Sequence, residues 1–448
     1  MGKKHQHSVK CMIKEYWERI DRKTIAALWV IEFTLFLFVV YKGLGMNYLP
    51  VTFLLMFFTA LSCSIVSYFK ADRCLLILVL ILLNLGFVIQ EIEFGGNVSL
   101  LNSLLKFTAV ISFTLLGAFL YKLLADMLSR DRVMKGLMLL QILICIAMSC
   151  LGTMVGDSEE QGAIITLGGI TLFEIVKLLY LFVAAALLCK PEIDTFDFFK
   201  YHLQREYVLI IHTILLSFFF LFCRELGTLL VVLLIGMIML YLFGKKRKWI
   251  KFLVITFISS FLSVWYLCDQ LIYPMIVANK ISLPSVILKL ISRFGTALHP
   301  EKFMKEVGYQ GTMGLEAIAI GDLFGISTER HRVTIPEASS DFIFADVIQT
   351  CGFVMGVIII VFFLILLKRG MEIADQCQDS YFQGLTIAIS VLITVETVIH
   401  VGYNIALLPI MGIPLYFISQ GFTAVLTGML LIAILLVISI GAVTRKVE

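Results

Sequence analysis

Apolar residues run through this chain in long uninterrupted stretches, with polar and charged residues confined to short breaks between them. A helix needs roughly 20 apolar residues to cross a hydrocarbon core about 30 Å thick. Only helices and closed barrels satisfy their backbone there, and continuous runs exclude a barrel. The pattern predicts spans near 25–42, 49–68, 74–92, 104–125, 136–155, 168–189, 206–222, 227–244, 249–268, 342–366, 384–408 and 415–440. The expected fold class is therefore an all-α polytopic membrane protein with about twelve transmembrane helices. One long polar segment, 269–341, lies before the tenth helix.

Charge fixes the orientation. Most of the 36 Lys and Arg residues fall on one set of connections, including KKRK at 245–248, whereas the opposite short loops hold only Lys42, Lys106 and Arg224. Both termini are therefore expected in the cytoplasm and the 269–341 loop outside. Residues 1–23 form a basic cytoplasmic N-terminus. With no small-residue cleavage site after the first apolar run, a retained span is expected rather than a signal peptide. A loop of this length outside the membrane is the natural place for function.

Composition narrows the classes. With 60% hydrophobic and 15% charged side chains and a mean hydropathy of +0.98, the chain is neither a soluble enzyme nor a disordered regulator. The net charge of +4, with no basic soluble domain, leaves no nucleic-acid partner. Ten cysteines, without a C-x-x-C pair and most of them inside apolar segments, read as small apolar residues.

Ionisable residues inside spans are costly and face a bundle interior or a cavity. Glu174 and Lys177, three apart on one helix face, either form an ion pair that pins neighbouring helices or bind a substrate headgroup. Arg224 and Glu225 occupy a tight turn before Gly227 and Thr228. Glu396 and His400 have an i, i+4 relation, but two ligands make a poor metal site and none is predicted. His212 and Glu32 read as satisfied packing or interface residues. Pro409, Gly412 and Pro414 break the chain between the last two spans, and irregular backbone at that depth points to a bordering polar site.

Four stretches resemble the SEDS family of shape, elongation, division and sporulation proteins (the FtsW, RodA and SpoVE group), from about residue 74 to the C-terminus. GAIITLGGITLFEIVKL is similar to its glycine-rich turn followed by S-E-x-x-K, with Glu174 and Lys177 at the charged positions and Phe173 at the serine. CRELGTLL resembles the Q-P-D-L-G-T helix opening, matching Glu225, Gly227 and Thr228. PEASSDFIFA resembles P-E-x-H-T-D-F-I-F-A through Pro336, Glu337, Asp341, Phe342 and Phe344. HVGYNIALLPIMGIPLYFISQG matches the last motif at Pro409, Gly412, Pro414, Phe417, Ser419 and Gly421. Residues 24–73 then form two additional N-terminal helices ahead of a SEDS-like core, 74–448.

The resemblance implies polymerisation of a lipid-linked disaccharide-peptide of the lipid II type, at the outer face of a bacterial plasma membrane in division or shape control. The implied partners are an undecaprenyl-pyrophosphate-linked sugar precursor and a single-span class B penicillin-binding transpeptidase. Such chemistry needs a base, and cationic side chains or a divalent cation such as Mg or Mn for the pyrophosphate. Substrate-binding candidates are Glu174, Lys177, Glu225, Lys302, Lys305, Arg330, Arg332, Asp341 and Ser419; Gly227, Pro409, Gly412, Pro414 and Gly421 shape the backbone. In HPEKFMKEVGYQ, Phe303 stands where the family has its catalytic aspartate, leaving the flanking Glu301 and Glu306 as base candidates. Gln349 and Thr350 replace paired glutamates, and His400 an asparagine. A scaffold that binds precursor or holds a transpeptidase without turnover is the alternative. A lipid flippase is a further one, although no internal repeat supports it.

Overall fold

Hydrocarbon offers no hydrogen bonds, so apolar segments entering it coil until each N–H meets a carbonyl of its own turn. In a computed structural model of the chain that is what the apolar runs do. The structure describes residues 25–37, 49–93, 114–125, 127–128, 130–151, 153–155, 164–166, 172–189, 195–198, 201–223, 225–245, 247–267, 270, 308–325 and 332–445. Its helices are α1 (Ile25–Leu37), α2 (Leu49–Tyr68), α3 (Arg73–Glu93), α4 (Thr114–Ala125), α5 (Asp131–Leu151), α6 (Phe173–Leu188) and α7 (Arg205–Phe222). They continue with α8 (Leu226–Phe243), α9 (Arg247–Leu267), α10 (Gly308–Ile320), α11 (Ile343–Cys351), α12 (Phe353–Gln376), α13 (Ser380–Asn404) and α14 (Phe422–Arg445). Two short antiparallel ribbons, Thr153–Val155 with Ile164–Thr166 and Thr195–Phe198 with Tyr201–Gln204, lie in the connections on either side of α6.

Among the described residues seven helices, α3, α5, α7, α8, α12, α13 and α14, are long and apolar enough to cross a membrane. Shorter apolar helices at Ile25–Leu37, Thr52–Tyr68 and Thr114–Ala125 add to them. The fold is thus the expected helical polytopic one, with two corrections to the spans. The stretch 342–366 is not one helix. It breaks at Gly352, whose φ of +92° no residue with a Cβ adopts easily. A Cβ there would also lie 2.2 Å from the Leu323 carbonyl oxygen, while one on Gly325, again at φ +92°, would lie 2.2 Å from that of Thr350. GDLFG (321–325) therefore interlocks with the break, and the Phe353 N–H donates to Asp322 at 2.9 Å. The last span likewise starts at Phe422 rather than 415, because 405–421 is irregular.

The centre of the bundle is α13, buried along most of its length and packed by α6, α8, α12 and α14. Small residues permit this proximity. A Cβ on Gly384 would sit 2.1 Å from Cys189 Sγ, and one on Gly370 2.0 Å from Ser390 Oγ. On α7, Leu209, Leu216 and Phe220 face inward while Ile211, Ile214 and Phe218 are exposed on the side open to lipid. The described cysteines are all free.

An unpaired polar group in a low-dielectric interior costs about 1–3 kcal/mol, and several of the buried ones pair across helices, although Glu32 Oε2 has no hydrogen-bond partner. His212 Nε2 meets Gln141 Oε1 at 2.9 Å, and Gln141 Nε2 donates to the Val176 carbonyl at 3.0 Å. Glu32 of α1 accepts from Thr59 of α2 and, at 2.7 Å, from Asn84 of α3. That clasp fastens the two N-terminal helices to α3, beside an apolar contact of Leu28, Cys63 and Val66 with Leu76 and Leu80. Toward the start of α3, buried Asp72 takes Arg369 of α12 and caps its own helix through the Leu75 N–H at 2.8 Å.

Candidate functional site

Past Asn404 the chain cannot continue as helix. Pro409 and Pro414 lack the N–H a helix needs, and Ala406, Gly412 and Phe417 hold positive φ angles of 55°, 65° and 69°. Two non-glycine residues in the left-handed region each cost roughly 1 kcal/mol, so surrounding bonds must hold the turn in place. Several do. The Tyr403 hydroxyl donates to the Ile413 carbonyl at 2.6 Å, and the His400 ring Nδ1 lies 2.7 Å from that oxygen and 2.9 Å from the hydroxyl. Gln90 of α3 donates to the Ile418 carbonyl at 2.6 Å. The Gln420 N–H donates to the Ser339 carbonyl at 2.8 Å.

Around this turn three other parts of the chain meet. Asn404 donates to the Asp341 carbonyl at 3.0 Å and accepts from the Ala345 N–H at 3.1 Å, which fixes the start of α11 beside the turn. The Asp341 side chain lies against Gly412, where a Cβ would come 3.5 Å from Oδ2. From α8, Gly227 presses on the turn so closely that a Cβ would lie 2.6 Å from the Met411 carbonyl oxygen. Glu225 precedes that helix, half-buried, where the amide dipoles favour its negative charge. From α6, Glu174 accepts from Lys177 at 2.7 Å and from the Tyr416 hydroxyl at 3.4 Å. Burial, then the nearby Glu396 and Glu174 carboxyls, raise the Tyr416 pKa well above that of an ordinary phenol, so it remains a donor.

Glu174, Glu225, Asp341 and Ser419 thus gather at one end of the bundle. Three of the expected binding residues, Lys177, Ser419 and Arg332, are already engaged within the protein. Lys177 is no open cation: it is 2% exposed and lies between Glu174 and Glu396, the latter at 2.6 Å. This is the pinning ion pair, extended to a triad across α6 and α13. Ser419 presents nothing to a ligand, because its buried hydroxyl donates to the Ser340 carbonyl and accepts from the Leu415 N–H, at 2.9 and 2.8 Å. Arg332 is paired with Asp346, beside Gln349, which accepts from the Val333 N–H and donates to its carbonyl. Glu301, Lys302, Phe303, Lys305, Glu306, Arg330 and Arg224 lie outside the described residues. Among the described residues no three His, Cys, Asp or Glu side chains are grouped to hold a metal ion.

Sequence reasoning missed Glu396 as the partner of Lys177, and Tyr416, Tyr403 and Asn404 as the ties of the turn. The available signal was charge balance. A lysine inside a span requires counter-charge, and Glu396 is a carboxyl at comparable depth in a facing helix.

The bundle and its polar re-entrant turn define an integral membrane protein whose candidate site sits at the helix ends rather than at mid-membrane. A model of the family described as "Cell cycle protein" (FtsW/RodA/SpoVE) matches residues 72–442, and the chain belongs to this family. It is 27% identical over 316 residues to the "Probable peptidoglycan glycosyltransferase FtsW" of Bacillus subtilis, covering 69% of this chain and 73% of that one. To "Stage V sporulation protein E" of the same organism it is 32% identical over 152 residues, 33% of this chain and 42% of that one. Among solved structures, a chain of a peptidoglycan synthase complex that coordinates polymerization and crosslinking superposes with a TM-score of 0.59 at 20% identity, over 83% of this chain and 98% of that one. The rod-shape-determining protein RodA of Thermus thermophilus superposes with a TM-score of 0.51 at 18% identity, over 82% and 96%. Those structural likenesses give the fold; the family match gives the kinship and, with it, a multi-pass place in the bacterial plasma membrane.

Proposed function

We propose that this protein polymerises lipid-linked disaccharide-peptide into glycan strands at the outer face of the plasma membrane, in cell division or shape control. The observation that carries the reading is the gathering of Glu174, Glu225 and Asp341 around the 405–421 turn at one end of the bundle. The family match and the printed activity of the Bacillus subtilis relative support it. We take residues 24–73 as an addition and 74–448 as the polymerase core, a division supported by the start of the family match at residue 72.

In the reaction the acceptor hydroxyl oxygen bonds to the donor sugar carbon as the bond from that carbon to the pyrophosphate oxygen breaks. The pyrophosphate leaves with the electron pair, and the hydroxyl proton passes to a base. Glu301 or Glu306 fills that role, because Phe303 has no lone pair to accept a proton. With Lys177 and Arg332 committed to carboxyls, charge on the pyrophosphate falls to Lys302, Lys305 and Arg330, or to a divalent cation. Glu174 and Glu225 present carboxyls to the sugar hydroxyls, and a single-span class B transpeptidase is the membrane partner.

Phe303 also favours a second reading, a member that binds precursor and holds its transpeptidase without turnover. The test is polymerisation of purified lipid II by the protein with its partner. Glycan product that disappears in the Glu301→Ala, Glu306→Ala double variant supports the enzyme with that base. Product unchanged in the double variant refutes the base, and wild-type protein that co-purifies with the transpeptidase but makes no polymer is the scaffold.

A further inference from the structure

Leu76, Leu80, Asn84 and Val88 recur every four residues on α3 and form one face of it. Along that face α1 and α2 are packed, with Leu28, Cys63 and Val66 against Leu76 and Leu80, and Phe36 and Leu55 against Val88. Asn84 is the polar member of this apolar stripe, and it meets Glu32; each is only 3% exposed. Thr59 and Asn84 stand near the middle of α2 and α3, which puts the Glu32 carboxyl near mid-membrane. Both hydrogen bonds to that carboxyl go to a single oxygen. Oε1 accepts from the Thr59 hydroxyl and, at 2.7 Å, from Asn84 Nδ2, while buried Oε2 has no partner. Two bonds fill the two lone pairs of a carbonyl oxygen.

Among the described residues no cation matches an ionised Glu32. The rest of α1 carries no charge, and α2 has only Cys63, one turn beyond Thr59, and Tyr68 at its exposed end as titratable groups. On α3, Arg73 and Cys74 lie at the start, about 16 Å along the axis from Asn84, and the charged residues at the far end, Glu91 and Glu93, are acidic. Lys70 and Asp72 precede α3 at the same end as Arg73, with Asp72 taken by Arg369. The pair also touches α14, through Leu436 and Ile440, and the one charged residue of that helix is the terminal Arg445. An isolated carboxylate in apolar surroundings avoids the cost of its charge by remaining neutral.

We infer that Glu32 carries a proton at neutral pH and that this proton fastens the two added helices to α3. As the neutral acid, Oε1 is the carbonyl oxygen that receives Thr59 and Asn84, and Oε2 is the hydroxyl. Loss of the proton leaves an unmatched ion between three apolar helices and loosens the pair from the Leu76–Val88 face. The attachment of α1 and α2 is thus proton-dependent. Glu32 and Thr59 both precede the segment matched by the family, and the joint is independent of the activity proposed above.

Glu32→Gln tests it, because the amide oxygen receives the same two bonds and the amide nitrogen takes the place of Oε2. In infrared difference spectra at pH 7, wild type minus Glu32→Gln contains a protonated-carboxyl C=O band, and Asn84→Leu or Thr59→Val moves that band to higher frequency by removing a donor. The pH dependence has a definite sign. The folded protein holds one proton more than the unfolded chain, so in urea unfolding the folding constant of wild type relative to Glu32→Gln falls between pH 5 and 7, by about tenfold per unit. At a single pH, amide exchange of α1 and α2 is unchanged in Glu32→Gln and accelerates in Glu32→Ala, while that of α5 stays fixed. The absence of the band, or a relative folding constant that is flat or rises with pH, makes Glu32 an ion and overturns the inference. A band that ignores both Asn84→Leu and Thr59→Val places the acid outside this joint, and unchanged exchange in Glu32→Ala overturns the fastening.

Discussion

Removing the ammonium of Lys177 is the most direct test of the triad that joins α6 to α13. Lys177→Met keeps the length and packing of the stem while deleting the charge. At an effective dielectric of about 20, a unit pair 2.7 Å apart attracts by about 6 kcal/mol, and desolvation of each ion offsets much of that. Breaking a buried pair by deleting one partner costs about 3–5 kcal/mol. The Glu174 side chain is 12% exposed and gains some hydration once unpaired, which places the expected loss near the lower end, about 3 kcal/mol. Urea or thermal unfolding of the detergent-solubilised protein, followed by tryptophan fluorescence, measures it. The triple variant Lys177→Met, Glu174→Gln, Glu396→Gln has no uncompensated charge and is expected to recover most of the loss. If Lys177→Met unfolds within about 0.5 kcal/mol of wild type, or the triple variant is no better than the single one, the triad is not what holds these helices.

Two further outcomes follow from the turn. Gly227→Ala puts a methyl 2.6 Å from the Met411 carbonyl oxygen, so α8 or the turn must shift; a loss of about 1–3 kcal/mol in the same unfolding assay is expected, against none for Gly136→Ala, where a Cβ meets nothing within 4 Å. Asn404→Leu strands the Asp341 carbonyl and the Ala345 N–H at about 1–3 kcal/mol each, and hydrogen exchange at the start of α11 should accelerate while that of α5 stays unchanged.

The class of the molecule and much of its site were legible in the residues. Runs such as Leu226–Phe243 have no polar face, and such a helix crosses hydrocarbon or fills a core. Pro409, Gly412 and Pro414 marked the interruption of the last spans because ring closure and missing Cβ atoms act locally, whatever surrounds them. The break at Gly352 escaped notice. Hydropathy is blind to a single residue's φ, and this glycine is required by the GDLFG backbone lying against it. Ser419 and Lys177 were assigned to a ligand for a related reason. Their residue types allow it, and only their neighbours reveal that a carbonyl, an N–H and two carboxyls already occupy them.

What the sequence determined, then, was depth: which segments enter the membrane, where the backbone must break, and the kinship carried by four motifs. What only the tertiary structure decided was sidedness and partnership. On α8, Val231, Ile235 and Met239 are buried while Tyr241 and Leu242 are exposed, yet lipid and protein interior are equally apolar and the composition of the two sides scarcely differs. Lys177 finds Glu396 across 219 positions of chain, a pairing fixed by the packing of α6 on α13 and by no local rule.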